Sequence, residues 1–376
     1  MSDPSFFFAS ASNMHATDLV STCVDQLGSL SADINIGFVY ATDILADDFP
    51  AIIKQLQQHT GVANWAGTIG TGICAGDQEL YDHPALCILL GAFPEDSFRF
   101  YRLDDNGLLD FTTENADWLK NNLHHLAIMH GDPRAQSVSD QIPDFVNTVP
   151  RSFLVGGLTS SQSDAYPQYA NGIHEHGVSG VVFNQQVQVA TTLSQGCAPI
   201  GPLHSVSKAR QNVIMTLDSK PALDVFREDI GEILARNLDR VGGYIFIGLP
   251  VAGSDTGDYL VRNLIGLDPA NKHVVIGDWV EDGQKLLFCR RDGASARTDL
   301  REQLIKLKQR IGEQDIRGGL YYSCLGRGRY LFGEESQELK LIHEVLGEFP
   351  LCGFFANGEI ANNQLYGYTG VLTLFL

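Results

Sequence analysis

Short apolar runs alternate with helical spacings along the whole chain, and glycine-rich or proline-rich turns divide them. FFFASA at 6–11 predicts a strand, and Leu19, Val20, Cys23, Val24 and Leu27 then recur at helical spacing up to Gly28, a helix stop. NIGFVYAT at 35–42 predicts a second strand. Ile52, Ile53 and Leu56, after Asp47 and Asp48, predict a second helix, and GVANWAG at 61–67 a third strand. Strand, helix, strand, helix, strand is the order of parallel α/β packing. GTIGTGICAG at 67–76 breaks the rhythm as a glycine-rich turn. ALCILLGAF at 85–93 and SFRFYRL at 97–103 then read as an antiparallel pair joined through Pro94, Glu95 and Asp96. A helix over 113–121, a strand at 124–131, a helix over 136–146 and strands at 152–157 and 177–183 follow.

A strand that runs into a small-residue turn, then a polar stretch, then a returning strand recurs at 63–93, 153–183, 275–289 and 352–376. Identity between the copies is low, so the repetition is one of topology, and its turns would collect on one rim. Residues 196–225 hold three prolines and few helix signals, which places a domain boundary there: 1–205 and 206–376. Beyond it, strands are expected at 212–218, 242–249, 258–264, 272–279 and 285–291. Pro221 opens a helix carrying Leu223, Phe226 and Ile230, and Thr298 caps another carrying Leu300, Leu304, Leu307 and Ile311. A last helix near 335–346 precedes the terminal strands, drawn from the apolar runs 319–325 and 365–376. The fold class is α/β: two α/β domains with mixed sheets flanked by helices, with repeated strand–turn–hairpin units.

Composition narrows the function. Hydrophobic content of 44% and charged content of 19% are those of a globular protein, and 376 residues suffice for two cores. A formal net charge of −19 argues against nucleic-acid binding and against anionic membrane surfaces. The most apolar internal run, 244–253, is too short to span a bilayer, and no basic residue precedes Phe6, as a signal peptide would require. The expectation is a cytoplasmic protein without membrane insertion. Seven cysteines lie singly with no C-x-x-C pair, which suits a reducing compartment and excludes a zinc ribbon.

Gly70-x-Gly72-x-x-Ala75 imitates a dinucleotide fingerprint, but Gly76, Asp77 and Pro84 predict loop where that motif needs a helix. No Walker-type or G-x-S-x-G stretch is present. His124, His125, His130 and Asp132 bracket one strand. His174 and His176, two apart on a strand, would share a face and could hold one metal. The richest chemistry lies near the end of the chain. There Gly326, Gly328, Gly353 and Gly358 permit close backbone approach, Arg327 and Arg329 offer forked donors, and Asn357, Glu359 and Cys324 add an amide, a carboxylate and a thiol. Arg327 and Arg329 would favour a Cys324 thiolate, but no base is evident. Residues 285–310 are locally basic and read as the wet side of an amphipathic helix, a surface that would suit an acidic partner.

Ser-Cys-Leu-Gly-Arg-Gly at 323–328, Gly-Phe-Phe-Ala-Asn-Gly-Glu-Ile at 353–360 and Gly-Tyr-Thr-Gly-Val-Leu at 367–372 resemble the C-terminal domain of the FIST family. Gly-Gly-Leu-Thr-Ser-Ser at 156–161 and Gly-Cys-Ala-Pro-Ile-Gly-Pro at 196–202 resemble the signatures of its N-terminal domain. The resemblance implies a small-ligand sensory module in signal transduction rather than a catalyst, with an amino acid or haem as ligand. Cys197 or His204 would be near at hand for haem iron, and without C-x-x-C-H any haem would be non-covalent. The ligand site would fall at Cys324, Arg327, Arg329, Gly353, Asn357, Gly358 and Glu359, with Arg329, Asn357 and Glu359 recognising a zwitterion. No kinase, cyclase or F-box segment is present, so output would pass to a partner such as a histidine kinase or cyclase. The alternatives are a cysteine-dependent enzyme using Cys324 and a ligand-free interaction scaffold.

Overall fold

A computed structural model describes residues 6–103, 107–122, 124–135, 137–149, 151–235, 238, 241–251 and 259–376. The chain forms two compact units. Unit 1 comprises residues 1–194, 300–365 and 369–376, and unit 2 residues 195–299 and 366–368.

Unit 1 is built from one pattern used three times. The first copy runs β1 (Phe6–Ser12), α1 (Ala16–Leu27), β2 (Ile36–Thr42), α2 (Phe49–Thr60), β3 (Asn64–Gly70), a hairpin of β4 (Gly72–Ala75) and β5 (Gln78–Tyr81), and β6 (Ala85–Gly91). The second runs β7 (Phe98–Leu103), α3 (Gly107–Glu114), α4 (Ala116–Asn121), β8 (His124–Gly131), α5 (Val138–Thr148), β9 (Leu154–Leu158), a hairpin of β10 (Gln168–Ala170) and β11 (Ile173–His174), and β12 (Val178–Asn184). The third opens with β13 (Val189–Gln195), and unit 2 is inserted after it.

Unit 2 holds β14 (Cys197–Pro199), β15 (His204–Arg210), β16 (Val213–Leu217), β17 (Lys220–Pro221), α6 (Ala222–Ala235), β18 (Ile245–Pro250), β19 (Tyr259–Asp268), β20 (His273–Ile276) and β21 (Lys285–Arg291). Because β21 pairs with β15 on one edge and β18 on the other, the order β21-β15-β16-β20-β19-β18 closes into a six-stranded antiparallel barrel. Closure removes the free sheet edges. Its core joins Phe226 of α6 to Ile214, Ile247 and Phe288 of the barrel strands.

After α7 (Gly293–Ile311) the third copy resumes as β22 (Gly318–Cys324), α8 (Gln337–Leu346), β23 (Leu351–Ala356), a hairpin of β24 (Glu359–Asn362) and β25 (Gln364–Tyr366), and β26 (Thr369–Phe375). The three sheets of unit 1 have equivalent orders: β1-β6-β2-β3, β7-β12-β8-β9 and β13-β26-β22-β23, with the last pair parallel in each. Each is extended by the hairpin of another copy. β10–β11 of the second completes the first, β24–β25 of the third completes the second, and β4–β5 of the first completes the third.

The central strands are buried on both faces, as their continuous apolar runs require. Gly67, Gly156 and Gly353 hold equivalent places on β3, β9 and β23. A Cβ there would stand 1.9, 1.8 and 1.8 Å from the carbonyl oxygens of Val39, Met129 and Tyr321. The residues that follow those carbonyls meet at the centre. Tyr40 Oη lies 3.2 Å from His130 Nε2 and 3.0 Å from Tyr322 Oη, with Phe354 packed against all three rings. Burial pushes His130 down to about 3, so the hub holds a neutral imidazole. Cys87 of β6 is disulfide-bonded to Cys352 of β23, Cα atoms 6.1 Å apart. No short spacing announces that pair, because 265 residues separate its members.

Several expected elements differ. The stretch 67–76 is the end of β3 and all of β4, since its glycines serve close strand packing as well as turning. The runs 85–93 and 97–103 do not pair: β6 lies between β1 and β2, whereas β7 pairs with β12 in another sheet. The helix at 113–121 is two short helices, α3 and α4. α7 begins five residues before Thr298, whose hydroxyl donates to Ala294 O from inside the helix at 3.0 Å. The run 365–376 breaks at Tyr368, which takes φ +62° between β25 and β26. Three of the four recurrences are the repeated unit. The fourth, 275–289, joins β20 to β21 in the barrel with no hairpin between. Ala252, Gly253 and Asp258, included in expected apolar runs, lie outside the described residues. Among those residues no helix is long and apolar enough to cross a membrane.

Candidate functional site

The parallel strands β22 and β23 end together, and loops at the carboxyl ends of parallel strands are where open α/β sheets bind ligands. After β22 the chain turns through Leu325 and Gly326 into a 3₁₀ turn, Gly328–Tyr330. Arg327, at the start of that turn, is fully buried. Its Nε donates to Glu338 Oε1 at 2.8 Å and its Nη2 to Ser194 Oγ at 2.8 Å, and Nη2 is ion-paired with Glu338 Oε1 at 2.7 Å. Glu338, in the first turn of α8, also accepts from Tyr321 Oη (2.6 Å), the Ser323 hydroxyl and the Gly328 amide (2.7 Å). Burial works against the Arg327 charge, and the Glu338 and Tyr321 oxygens more than offset it, holding the guanidinium pKa above its usual value.

Arg329 points elsewhere. It lies over the Tyr81 ring at 4.4 Å and donates to Asp82 Oδ2 at 2.6 Å. Below it, burial followed by the Glu338 charge pushes Glu79 up to about 7. Asn357 is exposed, with its amide hydrogen-bonded to Leu158 O at 2.9 Å, and Gly358 supplies the φ of +121° that starts the β24 turn. Gly353 is committed to the strand contact with Tyr321.

Glu359 is fully buried. Its Oε2 accepts from the Thr369 amide (3.0 Å) and hydroxyl (2.9 Å), and Oε1 has no hydrogen-bond partner among the described residues. Burial pushes the carboxyl up to about 8, although Thr369, Arg327 and the Cys324 thiol pull the other way. A carboxyl titrating near 8 is largely protonated at pH 7, and the Cys324 thiol beside it is itself buried. The fold therefore gathers Arg327, Glu359 and Cys324 into one buried polar cluster, and sends Arg329, Asn357 and Gly353 to separate tasks.

A cavity of about 450 Å³ opens in another part of unit 1. Phe100, Tyr101 and Arg102 of β7 form one wall, Asp110, Phe111 and Glu114 of α3 another, and Ala170, Asn171 and His174 of the donated hairpin a third. Asp110 and Glu114 are four apart, so α3 presents both on one face. The Arg102 guanidinium lies against the hairpin tip, where a Cβ on Gly172 would come within 2.3 Å of Nη1. Asn171 anchors that tip to β3: its Oδ1 accepts from the Trp65 amide and its Nδ2 donates to Asn64 Oδ1, both at 2.9 Å. Among the described residues Arg102, Asp110 and Glu114 form no ion pair. One guanidinium and two carboxylates thus face a common space without neutralising one another. Sequence reading passes over them because each is an ordinary surface charge. The i, i+4 acidic pair was the available signal.

His174 lines this cavity, but His176 lies beyond the end of β11, 3.8 Å from Asp132, so the shared face expected of them does not form. Among the described residues no group of three or more His, Cys, Asp or Glu side chains could hold a metal ion. The residues named for haem do not fit it. His204 bonds through both ring nitrogens, Nδ1 to Asp218 at 2.6 Å and Nε2 to Asp229 at 2.8 Å. Cys197 is buried beside Cys289 and Tyr259 in an apolar cluster.

The FIST N domain model matches residues 35–220 and the FIST C domain model residues 222–362. An uncharacterized protein of Mycobacterium tuberculosis (strain CDC 1551 / Oshkosh) is 32% identical over 343 residues, covering 86% of this chain and 87% of the relative. An uncharacterized protein of Mycobacterium bovis (strain ATCC BAA-935 / AF2122/97) is 30% identical over 349 residues, covering 89% and 88%. The chain belongs to the FIST family, whose domains are associated with sensory signal transduction.

Proposed function

We propose that this protein is a small-ligand sensor whose ligand is a zwitterion of amino-acid size, held in the cavity between β7, α3 and the β10–β11 hairpin. The observation that carries this reading is that charges of both signs, without an ion pair among the described residues, line one cavity of suitable volume. A carboxylate would take the fork of Arg102, and an ammonium group the carboxylates of α3. The output is a partner protein, of the histidine kinase or cyclase kind, reached by a shift in the population of a ligand-responsive conformation. The polar cluster of Arg327, Cys324 and Glu359 would hold the end of β22 against β24 rather than contact the ligand. Thermal-shift measurements against the proteinogenic amino acids test the proposal. At least one should raise the melting temperature of the wild type, and Arg102→Ala should abolish the rise. A rise that survives Arg102→Ala would remove the cavity from the mechanism.

A further inference from the structure

We infer that the molecule recognised in this cavity is a diamino acid, a zwitterion carrying a second cationic group, rather than a neutral or an acidic amino acid. The inference rests on the reading of the cavity as a zwitterion site and adds the chemical class of the occupant. It follows from a count of the charges that line the cavity among the described residues, and from their placement. Arg102 supplies one forked cation on the wall made by β7 and the hairpin tip. Asp110 and Glu114 supply two anions on the wall made by α3, one helical turn apart. A neutral amino acid would satisfy Arg102 with its carboxylate and one α3 carboxylate with its ammonium, leaving the charge of the second carboxylate unmatched. An acidic side chain would bring another anion towards the pair, and like charges at close range repel. A diamino acid satisfies all three groups at once. Its α-carboxylate meets Arg102 and its two ammonium groups divide between Asp110 and Glu114, each contact being a charge-assisted bond. Phe100 and the buried Phe111 also line the cavity and would meet the methylene stem.

Isothermal titration of the full chain with L-lysine, L-ornithine, L-norleucine and L-glutamate decides the matter, because norleucine keeps the stem of lysine and lacks its second ammonium. The expected result is that lysine or ornithine binds at least tenfold more tightly than norleucine, and that glutamate is the weakest. Glu114→Gln or Asp110→Asn should narrow the gap between lysine and norleucine several-fold, and Arg102→Ala should weaken all four. All three residues are exposed, so these variants should fold, and unchanged circular dichroism will verify it. If norleucine or glutamate equals lysine while Arg102→Ala still abolishes binding, the diamino class is wrong and the zwitterion site stands. If none of the four binds, or Arg102→Ala changes nothing, the zwitterion reading fails and this inference fails with it.

Discussion

Arg327 and Arg102 belong to the same unit and have the same chemistry, yet they stand at opposite ends of what an arginine can do. Arg327 is sealed from water and has its donors taken by Glu338, Ser194 and Tyr321. Arg102 is exposed beside a cavity and carries no ion pair among the described residues. The sequence around Arg327 is glycine-rich and distinctive, whereas that around Arg102 is an ordinary strand. The difference shows that a memorable motif can be memorable for folding. A glycine-flanked arginine that must turn inward to meet a buried carboxylate needs special backbone, and a surface arginine that waits for a ligand does not.

The sharpest way to break this contrast is to remove Glu338. Glu338→Ala leaves Arg327 buried without its counter-charge and should cost about 3–5 kcal/mol of unfolding free energy, read from urea denaturation. Replacing both partners by leucine should cost clearly less, because no orphaned charge remains. A loss below about 1 kcal/mol for Glu338→Ala would mean that Arg327 is not a structural residue and would reopen it as a ligand group.

Glu359 offers a test of the same cluster by pH. Its carboxyl titrates near 8 in the folded chain, against an ordinary value near 4.5, so between those values the folded state holds a proton that the unfolded state has released. Stability must then fall as pH rises from about 5 to 8. Glu359→Gln, which cannot ionise, should flatten that slope and be the more stable protein at pH 8, as judged by melting temperature across a pH series. Glu79, titrating near 7, contributes a slope of the same sign and will remain in the variant. An unchanged slope in Glu359→Gln would show that Glu359 is charged at neutral pH, an ionised carboxylate beside Cys324 and open to a ligand cation.

The contrast also marks what the chain discloses before it is folded. Continuous apolar runs such as IGFVYAT and GGLYYSC give buried parallel strands, and the spacing of Leu19, Val20, Cys23 and Leu27 gives α1 and its stop at Gly28. Recurrence of the strand–turn–hairpin pattern discloses the repeated unit. It cannot disclose that each hairpin is donated to another copy, because pairing of β10 with β3 or β24 with β9 depends on contacts separated by about a hundred residues or more. The same limit hides the disulfide between Cys87 and Cys352. In the terminal region, residue type was legible and role was not. Arg327, Cys324 and Glu359 do cluster, but as a buried network, since nothing local tells whether Glu338 or a ligand will meet the guanidinium. The cavity charges Arg102, Asp110 and Glu114 come from two elements and face a hairpin more than fifty residues further on, so only the folded chain assembles them.

A smaller effect sharpens the comparison from the side of the hairpin. Asn171→Ala removes two side-chain hydrogen bonds to β3 and places alanine at φ +51°, a left-handed conformation that asparagine tolerates better. The expected cost is about 1 kcal/mol. Hydrogen exchange should quicken at 168–174 and along 64–68 while α3 remains protected. Equal exchange in the variant and the wild type would mean that the hairpin is held mainly by its own buried Gln168.

The smallest expected effect is the most discriminating. Arg102→Ala should change stability by no more than about 0.5 kcal/mol, because an exposed guanidinium without an ion pair contributes little to the folded state. The same variant should lose the ligand-induced rise in melting temperature. Placed beside Glu338→Ala, it separates the two arginines along independent axes: one substitution damages the fold through Arg327, and the other damages recognition without touching the fold. A loss of several kcal/mol on removing Arg102 would place it with Arg327 among the groups that hold unit 1 together. The cavity would then be a gap between elements whose charges serve the protein's own packing.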